Sequence, residues 1–177
     1  MTIRRTPEDG DVSTEKYKVD RREVREMKAR TASVGDLESV FHDLSERMAT
    51  EYIAAGKDVR SAYDNLTMNL REGRAHALIE NDKVVAIIAW QEADEATDTL
   101  FAAKEDFFNA RSVRFCRKHI KQIQALSGDR PIHSRSWLDR PDVVRWFRII
   151  GYQEAGHEDG AQLFELLPPK GNSLSSQ

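Results

Sequence analysis

Two side chains of this chain offer proton transfer near neutral pH. His133 lies in a short stretch of alternating polarity, residues 132–137, and an imidazole has an unperturbed pKa close to neutrality. Glu92 places a carboxylate just beyond the most continuous apolar run, residues 84–90. A lone strand histidine is more often packed or solvent-facing than catalytic, and that plainer role is the expectation for His133. The cations of chemical interest are Arg111, Arg114, Arg117, Lys118 and Lys121, a run that suits an anionic group and suits a solvated helix face better. Cys116 is the single cysteine, so no internal disulfide forms, and no cysteine-rich spacing suggests zinc.

These residues belong to a chain of 177, 40% hydrophobic and 32% charged, which is the size and apolar content of one domain with its own core. A formal net charge of −3 gives no overall pull toward nucleic acid or anionic lipid. Nucleic acid and membrane are therefore not expected partners. The start has no signal-like apolar stretch and no run is long enough to span a bilayer, so a cytoplasmic location is expected. Residues 1–22 are polar and mixed in charge and are expected to form a flexible arm; residues 168–177, PPKGNSLSSQ, are expected to form a flexible tail. The folded unit between them is 23–167.

Alternation over residues 24–30 predicts a strand, followed by a turn ending in the cap-type residue Asp36. Leu37, Val40, Phe41, Leu44, Met48 and Tyr52 recur at helical spacing and predict one helix ended by Gly56. Asp58 can cap a second, which Gly73 closes. Residues 75–80 and 83–91 predict a hairpin about Asn81-Asp82, and residues 97–101 a further strand. Residues 109–126 predict a long helix with Val113, Cys116, Ile120 and Ile123 on its apolar face. A strand at 132–137 follows, then a helix with Pro141 in its first turn and Gly151 at its end, then a hairpin of 152–155 with 162–167 about residues 156–160. This order argues for an α/β fold, a mixed sheet with helices on both faces.

The stretch Trp146-Phe147-Arg148-Ile149-Ile150-Gly151-Tyr152 is similar to the last helix of the GNAT, or Gcn5-related N-acetyltransferase, superfamily, where a helix ending Leu-Gly-Phe runs into a strand. With the element order over 23–167, the resemblance implies a GNAT-like fold. The run from Leu100 to Phe108, the basic helix after it, the strand at Trp137 and the closing Gln162-Leu163-Phe164 resemble the GNAT-like proteins of short-tailed Autographivirus-type bacteriophages, some of them internal virion proteins.

In GNAT enzymes the pyrophosphate of coenzyme A rests on backbone amides of a glycine-containing turn that leads into a helix. The matching residues here, Lys104-Glu105-Asp106-Phe107-Phe108-Asn109-Ala110-Arg111-Ser112, contain no glycine, two bulky rings and two carboxylates that repel phosphate. If an acyl-CoA binds, the resemblance places Phe101, Ala102, Asn109, Arg111, Ser112 and Arg114 against it, with Arg111 and Arg114 as side-chain phosphate contacts and His133 or Glu92 as the base on the acyl channel. The tyrosine that often protonates the leaving thiolate falls on Phe147, which has no proton to give, and the helix-start asparagine falls near Arg140. The resemblance thus implies two functions. One is a phage accessory or assembly protein with a degraded acyl-CoA site, weak or absent acetyl-CoA binding, no metal, and a phage or host protein as partner. The other is an active acetyl-CoA-dependent N-acetyltransferase. The first is the expectation, with Phe107 and Phe108 closing from within a groove bordered by Glu92, Phe101, Lys104, His133 and Arg135.

Overall fold

The computed structural model describes residues 26–171, so the expected arm at 1–22 and residues 172–177 of the expected tail lie outside it. Strand β1 (Met27–Thr31) leads into three helices, α1 (Val34–His42), α2 (Glu46–Ala54) and α3 (Val59–Arg71), and then into strands β2 (Ala75–Glu80), β3 (Lys83–Glu92) and β4 (Thr97–Ala103). A short 3-10 turn (Glu105–Phe107) precedes α4 (Ala110–Leu126). The chain closes with β5 (Ile132–Ser136), α5 (Pro141–Ile150), β6 (Gln153–Glu158) and β7 (Ala161–Leu166). Among the described residues the strands form a seven-stranded mixed sheet ordered β1-β2-β3-β4-β5-β7-β6, antiparallel except where β4 meets β5.

The apolar run of β3 is explained by burial on both faces of the sheet, which alternation assigns to two cores. Ile87 and Ala89 pack with Leu37, Val40 and Leu66 of α1 and α3, where Ala75, Ala77 and Ala102 also face the helices. Trp90 turns the other way, toward Ile120, Ile123 and Ile150 of α4 and α5. The β2–β3 hairpin turns on Asn81 and Asp82 with φ of 51° and 60°, the left-handed pair that a two-residue hairpin loop requires.

Three expectations need correction. The single helix expected from Leu37 to Gly56 is two, α1 and α2. Ser45 divides them: its hydroxyl accepts from the Met48 amide at 3.2 Å, and its own amide donates to the Ala103 carbonyl of β4 at 3.0 Å. The apolar spacing runs through this break although the helices serve different cores, Leu37 and Val40 packing with Ile87 and Ala102, Met48 with Leu78 and Phe107. The cap of α1 is Ser33, with Asp36 completing a capping box and bonded to Arg30, so the Asp36 carboxyl is held down to about 2, chiefly by Arg30. In the last hairpin Gly156 lies within β6 at a register shift, and the turn itself is Asp159-Gly160.

β4 and β5 pair only at Thr97↔Ile132 and Asp98↔His133, and beyond these positions they diverge. At the base of the fork a side-chain ladder replaces the backbone one. Thr99 and Ser134 hydroxyls lie 2.5 Å apart, and Ser134 donates to the Tyr152 hydroxyl at 3.1 Å. The strand that follows α5 and Gly151 therefore ties into the fork through Tyr152.

Candidate functional site

The fork opens into a cleft of about 330 Å³. Helix α2 and its C-cap residue roof it with Met48, Glu51, Tyr52 and Ala55, where Met48 and Tyr52, and Glu51 and Ala55, are four residues apart and so share one side of the helix. Divergence of the strands strips backbone groups of their ladder partners, and α2 supplies substitutes. The Tyr52 hydroxyl donates to the Phe101 carbonyl of β4 at 2.6 Å. Glu51 reaches the other prong, where it accepts from the Trp137 amide at 2.6 Å and from the Ser136 hydroxyl at 3.2 Å. Adjacent residues of one helix thus pin the two diverging strands.

Burial raises the Glu51 pKa against the opposing pull of those hydrogen bonds and the charge of Arg140. Burial also lifts the phenols of Tyr52 and Tyr152 well above their ordinary value. Asp98 is neutralised by Arg135 at 2.9 Å, and Arg135 also reaches Glu158 at 2.7 Å. The Cys116 thiol, on the cleft wall, is pushed up to about 12 by burial, so it is no nucleophile near neutrality. His119 lines the cleft from α4 and lies 3.1 Å from His76. Its pKa falls to about 4 through burial first and the neighbouring His76 second. Above that range both rings are neutral, and one donates its ring N–H to the other.

The segment between β4 and α4 is packed shut. Phe107 is fully buried, with ring centroids 5.0 Å from Phe101, 5.4 Å from Phe108 and 5.6 Å from Trp146. The Arg47 guanidinium of α2 lies 4.4 Å above the Phe108 ring. Asn109 caps α4, its carboxamide oxygen accepting from the amides of Arg111 at 2.9 Å and Ser112 at 3.0 Å.

The other sequence-derived candidates scatter. Arg111 is paired at 2.8 Å with the buried carboxylate of Glu80. Ser112 is buried with its hydroxyl against the Met27 sulfur, and Ala102 belongs to the core under α1 and α3. Arg114 is exposed. His133 bonds Glu165 at 2.9 Å, directly opposite it on β7, and Glu92 is exposed at the end of β3. Of the expected groove border, Phe101 and Arg135 line the cleft while Glu92, Lys104 and His133 do not. Phe147 also lines it, stacked 4.2 Å from Phe164. Glu51 and Tyr52 were not candidates: Tyr52 reads as one more apolar-face residue, and nothing local distinguishes Glu51 from a surface glutamate. Among the described residues no cluster of three or more His, Cys, Asp or Glu could hold a metal, and no helix is long and apolar enough to cross a membrane.

The sequence matches no protein-family model and no curated protein. Solved structures do share the fold. The PaiA N-acetyltransferase of Thermoplasma acidophilum, in complex with coenzyme A, is 10% identical with a TM-score of 0.58, covering 79% of this chain and 98% of its own. The ribosomal-protein-S18-alanine N-acetyltransferase of Escherichia coli is 15% identical with a TM-score of 0.60, over 84% and 99% of the two chains. A GNAT-family acetyltransferase of Bacillus anthracis is 14% identical with a TM-score of 0.59, over 81% and 96%. The chain therefore has the α/β GNAT-like acyltransferase fold.

Proposed function

We propose that this chain is a GNAT-fold protein that works without acyl transfer, an accessory or assembly protein of the phage type whose partner is a phage or host protein, acting in the host cytoplasm or the virion. One observation carries the reading: the turn before α4 leaves no cradle for a pyrophosphate. Its position is taken by the buried Phe107 ring, two of the first α4 amides are occupied by Asn109, and Arg111 is committed to Glu80. A diphosphate brought here would have to displace a ring and a cap, and it would meet the exposed carboxylates of Glu105 and Asp106. These residues do not fit coenzyme A. Fold and site are separable, so retention of the one does not require the other.

The alternative, an active acetyl-CoA-dependent N-acetyltransferase, is favoured by the cleft that persists at the fork and by exposed Arg114. Calorimetric titration with acetyl-CoA separates the two. The expected result is no saturable complex in the micromolar range, about −8 kcal/mol or tighter. A saturable micromolar complex, or acetylation of any amine in a coupled thiol-release assay, overturns the proposal. Gene neighbours bear on the phage role: phage structural genes beside this one agree with it, and a metabolic or resistance operon contradicts it.

A further inference from the structure

Helix α4 departs from the charge pattern of the other α-helices described. Each of those has an acid in its first turn or a base in its last, as the helix dipole favours: Asp36 and His42 in α1, Glu46 in α2, Arg71 in α3, Asp142 and Arg148 in α5. Helix α4 has neither. Its 17 residues hold five cations and no carboxylate, although 30 acids in 177 residues would put about three in a stretch of that length. Arg111 is neutralised by Glu80. The other four, Arg114, Arg117, Lys118 and Lys121, are exposed and lie three and four residues apart, on the side away from Cys116, Ile120 and Ile123. Arg145 is exposed on α5, which packs beside α4. Among the described residues none of these five has a carboxylate within 4.0 Å, and the carboxylates near α5 are engaged, Asp142 by Arg140 and Glu154 by Arg148.

The fold gains nothing from this arrangement. Arg114 with Arg117 and Lys118, and Lys121 with the same two, are like-charge pairs at spacings where such pairs destabilise a helix. An anion that spans the row relieves that repulsion, and the make-up of the face says which anion. No exposed aromatic ring offers an unpaired base a place to stack, since Phe115 packs inward against His119. The one large apolar side chain exposed on α4, Leu126, stands at its last position beyond the row, so the face lacks the apolar anchors of a lipid surface helix or of a protein interface. Recognition by charge alone suits the regular phosphates of a duplex backbone. From Arg114 to Lys121 the helix rises about 10 Å, the axial length of about three phosphates of one strand. The net charge of −3 conceals this segregation: with five positive charges on α4, the rest of the chain carries −8 and repels a polyanion from every other approach.

We propose that the outer face of α4, with Arg145 of α5, binds the phosphate backbone of a nucleic-acid duplex without reading its sequence. The site is independent of the acyl-CoA question, since neither the cleft nor the turn before α4 contributes to it. Fluorescence anisotropy of a labelled duplex of about 20 base pairs, made as DNA and as RNA to separate the two sources of such a backbone, tests it on the full chain. Binding should be saturable with a Kd of about 10 µM at low salt, and log K should fall against log salt with a slope near −4, as five phosphate contacts require. The triple variant Arg117→Gln, Lys118→Gln, Lys121→Gln should bind at least about tenfold more weakly with a slope near −2. Removing as many exposed cations elsewhere, in Arg60→Gln, Arg71→Gln, Lys83→Gln, should change affinity by less than about threefold. The α4 variant should melt no lower than the parent, because it relieves repulsion. Failure of both duplexes to bind saturably, equal losses in the two triple variants, or a lowered melting point of the α4 variant would each overturn the proposal. So would tighter binding of a single strand, of polyglutamate or of vesicles containing anionic lipid. Displacement of the duplex by acetyl-CoA would assign the cations to a cofactor instead, which also overturns it.

Discussion

The turn before α4 and the fork beside it both adjoin β4, and they are filled in opposite ways. In the turn, four aromatic residues, Phe101, Phe107, Phe108 and Trp146, pack into the space. At the fork the strands diverge without their side chains collapsing between them, because Glu51 and Tyr52 hold the prongs apart from above and the Thr99, Ser134 and Tyr152 hydroxyls set their spacing from below. The contrast teaches that two neighbouring regions beside one strand are maintained by different forces. The turn is closed by side-chain packing, ring against ring. A strand fork is a topological feature of the β4–β5 parallel pair and persists as long as its orphaned backbone groups find partners.

The sharpest way to break this contrast is to empty the closed region. Phe107 is fully buried, so Phe107→Ala should cost about 3–5 kcal/mol in urea denaturation through lost transfer energy and the cavity left behind. Phe108 is only half-buried and should cost far less when truncated alone. If Phe107→Ala leaves stability within about 1 kcal/mol of the parent, the turn is not packed shut and the case against a coenzyme A site fails with it.

His119 links the regions, since α4 starts at the closed turn and carries His119 to the cleft wall. Its folded pKa of about 4 lies below the ordinary 6.5, so the unfolded chain binds a proton more readily than the folded one does. Stability should therefore be full above about pH 6.5, fall as the pH drops toward 4, and lose about 2–3 kcal/mol across that window. His76, also lowered by burial, acts in the same direction, whereas Asp36, lowered from 3.8 to about 2, loses its contribution as the pH falls between those two values. Denaturation midpoints across that window check it, and in His119→Gln the decline should flatten. A decline unchanged in that variant would assign it to other groups.

Much of the fold was legible because its signals are local. The Asn81-Asp82 turn, the Asp58 cap and the step from Ile150 through Gly151 into Tyr152 each declare themselves within a few residues. What could not be read depends on distant partners. The division of α1 from α2 rests on a hydrogen bond between Ser45 and Ala103, and the commitment of Arg111 rests on Glu80 of a different hairpin. The partner of His133, expected only to be packed or solvent-facing, is set by the β5–β7 register, which puts Glu165 opposite it. The clamp itself joins Glu51 of α2 to Trp137 beyond β5, far apart in sequence, a pairing that no periodicity announces.

The smallest effect expected here bears most directly on the fork. Tyr52→Phe keeps the ring and removes one hydroxyl, so the Phe101 carbonyl, which has no β5 strand to face, loses its donor. A buried acceptor left without a partner costs about 1–3 kcal/mol, and because Tyr52 is only partly buried the loss should fall near the lower figure. The informative reading is local rather than global. Amide exchange of Trp137, held by the adjacent Glu51, should quicken in Tyr52→Phe if the two contacts act as one clamp, because releasing one prong lets α2 lift from the other. Faster exchange at Trp137 with unchanged exchange in β2 would place the whole effect at the fork. If Trp137 exchanges at the parental rate while stability falls, each residue secures its own strand, and the fork is held by two independent bonds.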